Sequence, residues 1–87
     1  MKQLYKITES TFNSEQEEQT EALVAIGTDY EAGLIKMRAF FEENKPKDKR
    51  YKIIVNDADC IIAERYDEKT KIFDQYMVAI EMEMLDF

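Results

Sequence analysis

Polar and apolar residues alternate at the start of the chain. Met1, Tyr5 and Ile7 fall on one side of an extended backbone, with Lys2, Lys6 and Thr8 on the other. This period of two predicts a first strand with one face toward a core. The polar stretch from Ser10 to Gln19 contains Glu15, Glu17 and Glu18, with Glu21 just beyond it and no base among them. It reads as a long exposed hairpin loop. From Thr20 the chain turns apolar through Ala22-Leu23-Val24-Ala25-Ile26 and stops at Gly27. That run is short and β-branched enough for a second strand.

The period then changes to that of a helix. Thr28-Asp29-Tyr30-Glu31 matches a capping box, in which Thr28 accepts from the amide at Glu31 and the Glu31 carboxylate reaches back to the amide of Thr28. Placed at about 100° per residue, Tyr30, Gly33, Leu34, Met37, Phe40 and Phe41 form one apolar stripe, while Glu31, Lys36, Arg38, Glu42 and Glu43 lie outside it. Ile35 projects opposite with Ala32 and Ala39, as a tolerated exposed aliphatic residue or as part of a contact surface. Asn44 and Pro46 close the helix, because a proline pushes the preceding residue out of helical dihedrals.

Tyr51 to Asn56 alternates again, and Asn56-Asp57-Ala58-Asp59 supplies turn residues. Cys60 to Tyr66 follows as a further strand, although Asp57 is also placed to cap a short helix over the same residues. A polar loop, Asp67 to Lys71, returns the chain antiparallel into its longest alternating run. Ile72, Asp74, Tyr76, Val78, Ile80, Met82 and Met84 share one parity, and Phe73, Gln75, Met77, Ala79, Glu81, Glu83 and Leu85 the other. The predicted fold is a single α+β domain spanning residues 1–87. It has two layers: a small antiparallel or mixed β-sheet in the order β-β-α-β-β-β, and one helix at about 28–44 packed on one face. The helix stripe and the parity of Ile80 are both too apolar to face water, so they are expected to pack together, with Met82 and Met84 in the same core.

Composition narrows the chemistry more than the fold. The 87 residues contain no histidine, one cysteine and two glycines. Without imidazole there is no side chain whose ordinary pKa lies near neutrality, and a serine or cysteine nucleophile has no usual base. One cysteine makes neither an internal disulfide nor a multi-cysteine metal site. Asp57 and Asp59 read as turn caps and solvated charge rather than as cation ligands, and Gly27 and Gly33 stand outside any phosphate-binding loop. The expectation is a protein that is not an enzyme and takes no cofactor or metal. A small enzyme working with carboxylates alone is the residual alternative.

Charge directs attention to surfaces. Nineteen acids against twelve bases give a net charge of −7, and the one basic island, Lys45 to Lys52, leaves the remainder still more acidic. Direct binding of nucleic acid is therefore not expected. No segment reads as a signal peptide or membrane helix, so no membrane partner is expected and a cytoplasmic location is. The leading functional reading is a small acidic protein-binding module acting through two surfaces. An acidic face is expected from Glu15, Glu17, Glu18, Glu21, Glu81, Glu83 and Asp86. An apolar strip of Phe73, Met77, Leu85 and Phe87 on the last strand is expected to form an oligomer interface, as in a homodimer. The alternative is an acidic inhibitor of the phage type, whose carboxylates imitate nucleic acid and occupy the basic groove of a nucleic-acid-binding protein.

Overall fold

A computed structural model describes residues 2–85. Five strands and one helix follow one another as β1 (Lys2–Asn13), β2 (Glu18–Gly27), α1 (Tyr30–Asn44), β3 (Lys52–Asn56), β4 (Cys60–Tyr66) and β5 (Phe73–Leu85). The strands form one open sheet in the order β2-β1-β5-β4-β3, and every pairing is antiparallel. β5 thus lies in the middle, inserted between the hairpin β1–β2 and the hairpin β3–β4. Residues 57–66, with a strand and a capped helix both open to them, form a turn and then a strand.

The first hairpin is longer and its connection shorter than the polar composition suggested. Only residues 14–17 turn, and the strands continue through Phe12↔Gln19 and Asn13↔Glu18. The tip is held from both sides. The amide of Gln16 donates to Asn13 Oδ1 at 2.9 Å, and Glu17 takes the left-handed conformation with φ 51°. Ser14 exchanges hydrogen bonds with Phe73 at the start of β5, its amide donating to the Phe73 carbonyl at 3.0 Å and its hydroxyl accepting the Phe73 amide at 2.8 Å.

Helix α1 begins one residue later than the capping box implied. Asp29, in extended conformation, is the N-cap, and its side chain accepts from the amide of Ala32 at 3.2 Å. The carboxylate satisfies one of the free amides of the first turn, and Glu31 adds negative charge where the helix dipole favours it. At the other end the amide of Lys45 reaches the Phe41 carbonyl at 2.8 Å before Pro46 ends the helix.

The helix packs on one face of the sheet. Met37 and Phe41 are fully buried against Tyr5, Ile7, Ile61, Tyr76, Val78 and Ile80, and the rings of Phe41 and Tyr76 lie 5.8 Å apart. Phe40 is only partly buried at the margin of this cluster. Ile35, on the outer side of the helix, is 74% exposed. Fifteen helical residues extend about 22 Å, whereas β1 and β5, with twelve and thirteen residues, run for about 40 Å. The helix therefore covers only part of their length. Gly33 sits over Tyr5 and Ile80, and beyond it Met82 and Met84 remain 44% and 53% exposed. Their parity is that of the core, but the helix starts too late to reach them.

Candidate interaction surface

Strand register defines what the opposite face of the sheet carries. Tyr5, Ile7, Val78 and Ile80 point toward α1, so their strand neighbours point away. Cross-strand pairs then assemble this second face row by row. One row reads Glu21, Ser10, Met77, Ile62 and Val55 from β2 to β3. The next reads Leu23, Thr8, Ala79 and Cys60, followed by Ile26, Lys6 and Glu81, then Leu4 and Glu83. In the other direction come Gln19, Phe12, Gln75, Glu64 and Lys52, and below them Phe73 beside Tyr66. Phe12 and Phe73 stack with centroids 5.6 Å apart.

Among the described residues no second helix lies over this face. Its middle is apolar or small, and its margin on β2 is formed by Leu23 and Ile26, 57% and 54% exposed. These two share a face although they are three positions apart, because the β1–β2 register shifts between Ile7 and Thr8. The bulge adds Val24 to the strand and reverses the side on which later residues emerge. A second shift, between Ile53 and Val55, does the same on β3.

The expected site residues are distributed unevenly over this framework. Phe73 and Met77 lie on the uncovered face, and Leu85 has the same parity at the end of β5, opposite Lys2. Glu21, Glu81 and Glu83 lie on that same face, so acids and apolar strip, expected as separate features, share one surface. Lys6 tempers it locally by pairing with Glu83 at 3.1 Å. Glu15 and Glu17 are on the exposed hairpin tip, and Glu18, paired with Asn13, points to the helix side. The tip and Glu83 are separated by about 30 Å along the strands, so the structure does not gather the acids into one cluster. Asp86 and Phe87 lie outside the described residues, as does the side chain of Leu85.

At the hairpin-tip end, on the helix side, a polar network replaces the core. Asp74 accepts from Asn13 Nδ2 through one oxygen and from Arg65 through the other, the Arg65 Nε contact being 3.1 Å. Arg65 also reaches Asp48 at 3.5 Å and stacks over the Tyr51 ring at 5.7 Å. Asp48 holds Arg50 in turn, with Nη2 to Oδ2 at 2.7 Å. Hydrogen bonds from the Arg50 side chain and amide, ahead of its charge, keep the Asp48 carboxyl well below the usual carboxylate range. This network fastens the segment between α1 and β3 to β1, β4 and β5. From the sequence the segment reads only as a basic island, since nothing in local spacing links Asp48 to Arg65 or Arg65 to Asp74.

The open cleft beside this network, about 650 Å³, is lined by Asn13, Arg50, Arg65 and Asp74 among others. Asn13, Arg50, Arg65 and Asp74 are engaged within the network on its wall. Arg65→Ala is expected to lower stability measurably, because it leaves the Asp74 carboxylate without its guanidinium partner. Asp74→Ala should cost a similar amount, and the double variant clearly less than the two together. Urea denaturation of the four proteins measures this coupling, and strictly additive losses would show that the two residues act independently.

Two further groups bear on reactivity. Burial, and then the carboxylates of Asp59 and Asp57, push the Cys60 thiol up, which keeps it protonated and weakly nucleophilic. Burial and the hydrogen bond donated to Glu9 at 2.6 Å raise the Tyr76 hydroxyl. No cluster of three or more metal-ligating side chains occurs among the described residues. No helix there is long and apolar enough to cross a membrane. No family model matches this chain, and no curated protein or solved structure shows significant similarity to it.

Proposed function

We propose that this chain is a small non-catalytic protein-binding module whose contact surface is the uncovered face of its sheet. The observation that carries the reading is the placement of Leu23, Ile26, Met77 and Phe73 on a face that α1 does not cover, with Glu21, Glu81 and Glu83 on the same face. Isolated exposed aliphatic side chains are ordinary, but several of them on one face, around a floor of small side chains and beside a charged margin, are characteristic of interaction sites. Within the basic island Arg50 is engaged by Asp48 and Lys45 by Glu42, and the net charge of −7 opposes a polyanion contact there. Mimicry of nucleic acid has less support, since the hairpin-tip acids and Glu83 stand at opposite ends of the sheet. The two readings differ in salt response: a mimic loses affinity steeply as ionic strength rises, whereas an apolar contact is far less affected.

Affinity capture from the source cells provides the test, using the wild-type chain beside a Leu23→Ser, Ile26→Ser double variant. Both residues are exposed, so circular dichroism and the thermal midpoint should stay close to wild type. A protein retained by the wild-type chain and lost with the variant is the expected result. Retention of the same proteins by both chains would place the contact on another surface.

A further inference from the structure

We infer that the occupant of the uncovered face is a cationic amphipathic α-helix presented by a partner protein. This inference rests on the protein-binding reading and specifies the chemistry of the partner. Dimensions give the first argument. From Phe73 to Ala79 the apolar part of β5 runs for about 20 Å, the length of a helix of about 14 residues. The three central strands β1, β5 and β4 span about 10 Å between the outer two, close to the diameter of a helix with its side chains. Thr8, Ser10 and Ala79 keep the middle low, while Leu23 and Ile26 stand on the β2 side and Val55 on the β3 side. A helix laid along the strands would repeat on this face the packing that α1 makes on the first.

Charge selects the sign of the partner. Glu21 lies at the β2 margin, Glu64 toward β3, and Glu81 and Glu83 at the end of the strip. Of the bases whose side chains are described on this face, Lys6 is engaged with Glu83, and Lys52 stands at the β3 margin opposite Glu64. A second copy packed face to face would bring two chains of net charge −7 together, with their acidic margins in the interface. A helix bearing lysine or arginine beside its apolar stripe instead places each cation against a carboxylate.

Fluorescence anisotropy tests this with three labelled peptides of about 14 residues, long enough to span the strip as a helix. One is an amphipathic Leu/Lys helix, one has the same composition shuffled to remove the apolar stripe, and one is an amphipathic Leu/Glu helix. The Leu/Lys helix is expected to bind, the shuffled peptide about tenfold more weakly, and the Leu/Glu helix not measurably. Raising the salt should weaken the Leu/Lys complex by only a few-fold, because the apolar contact persists when the charges are screened. The Leu23→Ser, Ile26→Ser chain should lose about tenfold in affinity through the apolar contact, and the Glu21→Gln, Glu81→Gln chain should lose affinity and salt dependence together.

Equal binding of the Leu/Lys and Leu/Glu helices would overturn the cationic assignment while leaving the face as a protein contact. Binding of the Leu/Lys helix that survives both the double serine variant and Met77→Ser would place it elsewhere and overturn the inference. The same holds if no peptide binds and ultracentrifugation shows self-association abolished by the double serine variant. In that case the protein-binding reading stands with a second copy as occupant. If no peptide binds, no self-association occurs and capture is indifferent to the variants, both readings fall.

Discussion

Truncation of Phe41 to alanine is expected to lower the free energy of unfolding by about 3–5 kcal/mol. Phe41 is fully buried and lies where the helix, β1 and β5 converge, with its ring against Tyr76. Removing it takes away the transfer energy of a phenyl group and leaves a cavity that a sheet held by three-way strand pairing cannot collapse to fill. Domains of this size have total stabilities of about 5–15 kcal/mol. The thermal midpoint should fall by at least about 12 °C, at the usual conversion for a small domain. Phe40→Ala, one residue away at the margin of the core, should shift it by clearly less. Equal midpoints for the two variants, measured by differential scanning calorimetry, would contradict the assignment of the helix face.

The second large effect is expected from the smallest side-chain addition available. Gly27 pairs with Tyr5 across β1 and β2, and a Cβ at position 27 would run into the Tyr5 hydroxyl oxygen and the adjoining ring carbons. The ring covers the glycine and is itself buried. It also stands near Gly33, where an added Cβ would come within 2.8 Å of Ile80 Cδ1. Packed between Gly27 and Gly33, the ring can give way only by leaving its place in the core. Gly27→Ala should therefore destabilise the fold by about 3 kcal/mol, at the upper end of overpacking losses. In a Tyr5→Ala background the same substitution should cost less than half as much, because its obstacle is gone. Similar losses in both backgrounds, read from urea midpoints, would locate the strain in the backbone instead.

These two sites show what local sequence does and does not reveal. The helix stripe of Gly33, Met37 and Phe41, and its counterpart of Tyr76, Val78 and Ile80, were legible because each lies in an uninterrupted periodic run. Periodicity could not tell where coverage stops. Met82 and Met84 continue the parity of Ile80, and their exposure follows from where α1 begins relative to β5, a relation between distant segments. The cap moved from Thr28 to Asp29 because both residue types accept a hydrogen bond there, and the choice depends on how the helix sits on the sheet. Gly27 was read as a strand end, and its role under the Tyr5 ring needs the β1–β2 register to be known.

The candidate surface was legible in the same uneven way. Phe73 and Met77 could be assigned to a second face from β5 alone. Leu23 and Ile26 could not be joined to them, since a bulge reverses the alternation between the two, and Ile62, Val55 and Cys60 enter only through pairing across three strands. Acids were expected as one set because they are numerous. The fold instead divides them: Glu21, Glu81 and Glu83 join the apolar face, and Glu15 and Glu17 stay on the tip. The network of Asp48, Arg65 and Asp74 left no trace in spacing, as its members come from three separate elements.

The central position of β5 also bears on how the chain reaches this structure. Both neighbouring hairpins, β1–β2 and β3–β4, are joined by local turns and can form early, but each then leaves bare, besides its outer edge, the inner edge that β5 will cover, on β1 and on β4. The closing strand must zip into both, and pairs such as Ile7↔Ile80 bring together residues from opposite ends of the sequence. Such distant pairings close slowly because the loop entropy is lost before most of the contact energy is gained. On a ribosome, the sheet stays divided until the last strand has emerged. During that interval the edges of β1 and β4 are open to strands of other chains, so the yield of folded protein should depend on the concentration of nascent and refolding chains.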